Sequence, residues 1–208
     1  MNDTAHDKII VSDLATQGDY DVLAKLSSGK KCVFEFGSFI GGSALAMLPQ
    51  IKEAGGKLYC VDHFLGNQDD LHTKAVPRDL MLALLLQRVD PYRDIVTILI
   101  GEIKEALHFP AGFADMVFID ASHSYECVAA DIKIALHLVK SGGVICGHDY
   151  IKYYEDCDKE LLEKHADTPD GGHGGIGYGV IKAVHDIFGR PNHEAAIWWV
   201  EVYQGRRK

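Results

Sequence analysis

The run Val117-Phe118-Ile119-Asp120-Ala121-Ser122-His123 moves abruptly from apolar side chains to an acid, and an imidazole follows three positions later. A carboxylate that closes an apolar run is costly if buried alone, so Asp120 must either reach water or hold something positive. The pattern recurs along the chain. Lys31 to Phe36 (KCVFEF) carries Glu35 and stops at Gly37; Leu58 to Val61 stops at Asp62-His63; Ile95 to Ile100 stops at Gly101-Glu102; and Val144-Ile145-Cys146 leads into His148-Asp149.

The elements that must position these groups follow from period and punctuation. The apolar runs read as five strands, the fourth being Met116 to Ile119, and amphipathic helices separate them. Gly42 to Lys52 is a helix closed by Gly55-Gly56. After the fourth strand, Val128, Ile132, Ala135 and Val139 recur at helical spacing, with Ser124 and Glu126 suited to the N-terminus and Gly142-Gly143 closing the helix. Strands this uniformly apolar are covered on both faces, which predicts an α/β fold: a doubly wound, mostly parallel sheet with helices on both sides. Ligands in such folds bind beyond the carboxyl ends of the strands, so the strand-end residues are expected on one rim.

Composition narrows the ligand. With 208 residues, 47% of them hydrophobic, the chain can bury the core of a single domain spanning 1–208. A formal charge of -9 opposes binding to a phosphate backbone, so a small organic substrate is expected and nucleic acid is not. The acidic residues Asp3 and Asp7 around Ile9-Ile10-Val11 do not read as a signal peptide, and the longest apolar run, Leu80 to Leu86, is far short of the roughly 18 residues that span a membrane. Five cysteines without CxxC spacing read as reduced thiols of a cytoplasmic protein, with Cys157 as the candidate for an exposed one. Because Leu80 to Leu86 is apolar all round, that helix is either wholly buried or shared with a second subunit, and a homodimer is the expectation.

Glu35-Phe36-Gly37-Ser38-Phe39-Ile40-Gly41-Gly42-Ser43 forms a strand, turn and helix start, but Phe39 occupies the middle position of a dinucleotide GxGxxG turn. An acid two residues before the first glycine repels a pyrophosphate and favours the ammonium of an amino acid, as in S-adenosylmethionine. This ExGxxxGxS turn, the acid ending the second strand, FIDASHSYE and GGVICGHDY together resemble class I methyltransferases. The likeness is to the branch that includes macrolide-sugar O-methyltransferases and, more distantly, to catechol O-methyltransferase, and it covers Lys31 to Tyr150.

The resemblance implies a Rossmann-like fold that binds S-adenosylmethionine and transfers its methyl group to a hydroxyl of a small acceptor. It places the methionine part at Glu35, Gly37, Ser38, Gly41 and Ser43, the ribose at Asp62 beside His63, and the adenine at Gly101 and Glu102. It further implies a divalent cation held by Asp120 and Asp149, with His148 standing where relatives carry an acid or amide, and a general base at His123. Mg²⁺ is favoured, while an imidazole ligand would turn the site toward Mn²⁺, Fe²⁺ or Zn²⁺. Asp120 has a second reading, as the receiver of the cofactor's ammonium.

Residues 1–30 are expected to cap the substrate, and the glycine-rich segment 150–178, ahead of a helix at Ala183 to Phe188, to form a lid. The last strand is Ile197 to Val202, with no room before it for the family's usual sixth strand. Two alternatives stand beside this reading. Tyr178-Gly179-Val180-Ile181-Lys182 is a YxxxK, the proton-donor spacing of short-chain NAD(P)-dependent oxidoreductases, and a cofactor site can also exist without turnover.

Overall fold

The computed structural model describes residues 15–66, 76–168 and 171–203; the N-terminal run at Ile9 to Val11 lies outside them. Strand β1 (Cys32–Phe36) lies inside a seven-stranded sheet and pairs in parallel with β2 (Lys57–Asp62) on one side and β4 (Ala114–Ile119) on the other. With β3 (Val96–Ile100), β5 (Val139–Gly147), β6 (Asn192–Glu194) and β7 (Ile197–Val202) the order is β3-β2-β1-β4-β5-β7-β6. Only β7 runs against its neighbours. The doubly wound, mostly parallel α/β sheet expected from the sequence is therefore present.

Two apolar layers cover the sheet. One packs Val33, Leu58, Cys60 and Phe118 against α1 (Gln17–Ser27), α2 (Gly42–Glu53) and α3 (Arg78–Val89). The other packs Phe34, Phe36, Val117 and Ile145 against α4 (Tyr125–Leu138), α5 (Lys159–His165) and α6 (Tyr178–Phe188). Successive side chains of a strand point to opposite faces, so coverage on both sides leaves no polar stripe in the strands.

Register makes the rim. Phe36 stands opposite both Val61 and Ile119, Asp62 opposite Ile100, and Ile119 opposite Gly147. The residues just beyond these pairs, including Gly37, Asp62, Asp120 and His148, end at one level.

The structure departs from the sequence expectation in five places. Helix α4 ends at Leu138, not at Gly142-Gly143, because Val139 already pairs with Ala114 at the start of β5. A sixth strand does exist, three residues long, joined to β7 by a tight turn in which Ala195 adopts φ 52. Helix α3 is not wholly buried: Met81, Leu85 and Val89 face the core while Leu86 is 51% exposed. The stretch from Tyr150 to Tyr178 is anchored, with Tyr150, Cys157, Leu162, Ala166 and Tyr178 in the core, and the hairpin around His173-Gly174-Gly175 is one of its exposed parts. Cys127 is the exposed thiol, whereas Cys157 is buried with its S–H directed at the Tyr153 carbonyl.

Candidate active site

The turn after β1 is shaped by what lies against it. Gly37 has φ 84, and a Cβ there would stand 2.2 Å from the Asp120 carbonyl oxygen, so the turn and the β4 end touch backbone to backbone. This close approach requires glycine. Gly41, also left-handed, would drive a Cβ to 2.6 Å from Leu85 Cδ1 and so serves the packing of α3. Glu35 lies beneath the turn with no exposed surface, and Ser43 Oγ donates to its Oε1 at 2.6 Å while Oε2 has no partner. Burial pushes its carboxyl up to about 7. Glu35 and Gly41 thus support the turn from below; Gly37, Ser38 and Ser43 line the cavity above it.

Asp62 organises the neighbouring loop. The Phe39 amide donates to its Oδ2 at 2.8 Å and the Phe64 amide to its Oδ1 at 2.7 Å. Both carboxylate oxygens are thereby aimed, and each retains acceptor capacity toward the cavity that Asp62 and His63 line.

At the ends of β4 and β5 the acids meet the imidazoles. Asp120, His123 and Asp149 each offer a ligand atom within 4.8 Å of the others. His123 Nε2 lies 3.0 Å from Asp149 Oδ2. His148 sits deeper, with Nδ1 3.4 Å from Asp149 Oδ2 and 3.8 Å from Asp120 Oδ1, and Nε2 3.5 Å from Asp19 Oδ2 on α1. Among the described residues, the cluster capable of holding a metal therefore contains His123, and His148 stands behind it among three carboxylates.

Charge placement sets the protonation. Burial alone would lower His123, but its hydrogen bond to Asp149 and the charges of Asp149 and Asp120 raise it to about 9. His148 is likewise opposed by burial and raised to about 10 by Asp120, Asp149 and Asp19. For Asp149 the same two imidazoles overcome burial and hold the carboxyl far below its ordinary range. Asp120 is shifted upward, chiefly by burial.

Three glycines brace this cluster from the 166–179 segment. A Cβ on Gly171 would stand 1.8 Å, and one on Gly179 2.1 Å, from the His123 carbonyl oxygen; one on Gly177 would stand 2.7 Å from that of Asp149. The segment is also bonded to the turn, Tyr125 N–H donating to the Ala166 carbonyl at 2.8 Å. Asp149 itself holds φ 62, a left-handed value that costs about 1–3 kcal/mol and is stored at functional sites.

Above these groups opens a cavity of about 1070 Å³. It joins the glycine turn, Asp62, Gly101-Glu102 and the Asp120 cluster, with Ala15 and Tyr20 on the N-terminal side and Gly175 of the hairpin at another edge. Sequence reasoning missed Asp131, Cys127 and Lys104, which also line it. The available signal was the spacing of Cys127, Asp131 and Ile134, which places an acid on one helical face beside the apolar stripe.

The oxidoreductase reading fails on placement. Tyr178 is 2% exposed, Lys182 Nζ is bonded to Glu163 at 3.0 and 3.2 Å, and neither lines the cavity.

A doubly wound sheet with an antiparallel seventh strand, a glycine turn at the β1/β4 switch point and a cavity over the strand ends defines a Rossmann-like α/β fold with its ligand-sized cavity at the switch point. Residues 34–150 match the family described as methyltransferase domain, and the chain belongs to that family. Comparison with curated proteins finds no match. Among solved structures, cofactor-bound Rv0187 from MTB is 17% identical over 88% of this chain and 74% of its own, with a TM-score of 0.63. The O-methyltransferase TomG from Streptomyces achromogenes, in complex with SAM, is 17% identical over 96% of this chain and 86% of its own, with a TM-score of 0.59. An O-methyltransferase from Bacillus cereus in complex with SAH is 16% identical, covering 96% of this chain and 84% of its own, with a TM-score of 0.59. These likenesses are of fold.

Proposed function

We propose that the protein transfers a methyl group from S-adenosylmethionine to a hydroxyl of a small organic acceptor, assisted by a divalent cation. The observation that carries this reading is the cluster of Asp120, His123 and Asp149 opening into the same cavity as the Gly37 turn and Asp62. The cofactor supplies an electrophilic methyl on a sulfonium. Gly37, Ser38 and Ser43 offer the close backbone and hydroxyls for its methionine part, Asp62 and His63 face the ribose, and Gly101 and Glu102 border the base. Glu35 contributes indirectly, by holding Ser43.

Two carboxylates and an imidazole within 4.8 Å fit a divalent ion, Mg²⁺ or Mn²⁺. Such an ion supplies Lewis acidity that lowers the pKa of a bound hydroxyl. Asp120 and Asp149 would hold it, and His123, losing both its bond to Asp149 and the proton that this bond stabilises, would be free to take the hydroxyl proton. A second reading makes His123 the third ligand, because its Nε2 lies within the cluster. The acceptor is walled by Ala15 and Tyr20 and by the hairpin at Gly175, which acts as the lid. Five unpaired cysteines, and no described helix long and apolar enough to cross a membrane, support a cytoplasmic enzyme. Leu86 on the outer face of α3 supports a homodimer contact.

Calorimetry tests the reading: S-adenosylhomocysteine should bind and NADH should not. Mn²⁺ titration of His123→Ala separates the two roles of that residue, since loss of a base that competes for Asp149 leaves metal affinity at or above wild type and loss of a ligand reduces it at least tenfold. Binding of a nicotinamide without S-adenosylhomocysteine would overturn the proposal.

A further inference from the structure

Asp131 is a buried acid that the chemistry above does not use. It lies on the face of α4 that also presents Cys127 and Ile134 to the cavity, and the stretch from Glu102 to Lys104, just beyond β3, lines the same space. Only 8% of it is exposed, and among the described residues neither a hydrogen bond nor an ion pair reaches its carboxyl group. Its charged neighbour Glu102 carries the same sign, so it opposes ionisation; burial is the larger influence, and together they raise the carboxyl to about 7. What remains exposed of Asp131 opens into the cavity, and an acid so far withdrawn from water without a protein partner is costly unless a ligand there supplies the partner.

The chemistry of that partner follows from the acid. A neutral carboxyl presents an O–H donor beside a C=O acceptor. Its complement is a planar edge bearing a ring nitrogen next to an amino group, which is the N1 and 6-amino edge of adenine. The position agrees with the direction of a nucleoside across this rim. The glycine turn of β1 and Asp62 of β2 precede Glu102 at the end of β3, so a ribose at Asp62 leaves its base between Glu102 and α4.

We infer that Asp131 reads the adenine of the cofactor, donating to N1 and accepting from the 6-amino group. The inference rests on the S-adenosylmethionine reading of the cavity and adds to it a base-specificity residue on a helix rather than on a strand end. Lys104 borders the same space and gives the wall a cation that leaves Asp131 unpaired.

The test measures binding of S-adenosylhomocysteine and of its 6-deamino purine analogue by calorimetry. Wild-type protein should prefer the adenine compound by about tenfold or more, the scale of one bidentate pair. Asp131→Ala should lose that preference and bind S-adenosylhomocysteine about tenfold more weakly. Asp131→Asn, whose amide also sets a donor beside an acceptor, should stay within about threefold of wild type. Thermal melting should show Asp131→Ala folded, because it removes an unpaired group. If wild type binds neither compound, the cofactor reading falls and this inference with it. If wild type binds S-adenosylhomocysteine and Asp131→Ala keeps both affinity and preference, the cofactor reading stands and Asp131 has no part in it.

Discussion

Replacing Gly179 by alanine tests whether the 166–179 segment holds the acid and imidazole cluster in place. The added Cβ would meet the His123 carbonyl oxygen at 2.1 Å and the Ala166 carbonyl and Tyr125 nitrogen at 2.7 Å. All three are backbone atoms, so none can swing aside. Relief requires the α6 start and the His123 turn to part by roughly 1 Å, on the scale at which a misplacement costs about 10² in rate. Overpacking of this kind costs about 1–3 kcal/mol, or roughly 2–12 °C in melting temperature for a domain of this size. Two measurements read the displacement directly. The His123 imidazole, raised to about 9 by its Asp149 partner, should titrate closer to its ordinary value by NMR, and methyl transfer should fall about 10²-fold. Leu162→Ala, a buried truncation in α5 away from the cavity lining, supplies a comparable loss of stability without moving the turn. If Gly179→Ala melts lower yet retains the His123 titration and full activity, the bracing argument is wrong.

Protonation supplies further outcomes. His123 and His148 are raised above their unfolded values, so their stabilisation is complete below about pH 6.5 and is lost as pH climbs through about 9 and 10; urea unfolding of metal-free protein should show that decline. Mn²⁺ affinity should rise over the same interval, since a cation that takes Asp149 displaces a protonated His123. Glu35 acts in the same direction over a lower window: its raised carboxyl destabilises the fold as pH rises from about 4.5 to about 7, by about 3 kcal/mol at most. Glu35→Gln should therefore stabilise cofactor-free protein at pH 8 and have little effect at pH 4.5, and an equal effect at both would refute the assignment. Asp19→Ala should cost about 2–4 kcal/mol in urea unfolding, because the Ala196 amide and His148 lose their buried partner.

Residues at strand ends were legible because an apolar run must stop where a polar side chain meets water or a ligand. Asp62, Asp120, His148 and Asp149 all stand on the expected rim. Depth was not legible. Glu35 lies two residues before its glycine on a strand buried on both faces, and alternation in such a strand does not distinguish floor from opening. Nor was it legible that His123 meets Asp120 and Asp149 while His148 reaches back to Asp19, because these are tertiary contacts that no spacing encodes. Strand β6 escaped because three residues carry no period and its pairing depends on the φ of Ala195. Asp131 was hidden by reading α4 for its apolar stripe alone.

The carboxylate of Asp19 closes a capping box with Thr16, accepts the Ala196 amide at 2.8 Å and faces His148. Its amide partner is 177 residues away along the chain. During synthesis, therefore, α1 and every strand-end residue of the site leave the ribosome well before the group that settles Asp19, and with it the outer side of His148. A nascent chain that stops short of the β6–β7 hairpin carries Asp62, Asp120, Asp149 and the glycine turn but an unfinished edge to its sheet. The outer side of the cluster is thus set last, and a chain that ends before the hairpin leaves Asp19 without the amide that fixes it against His148.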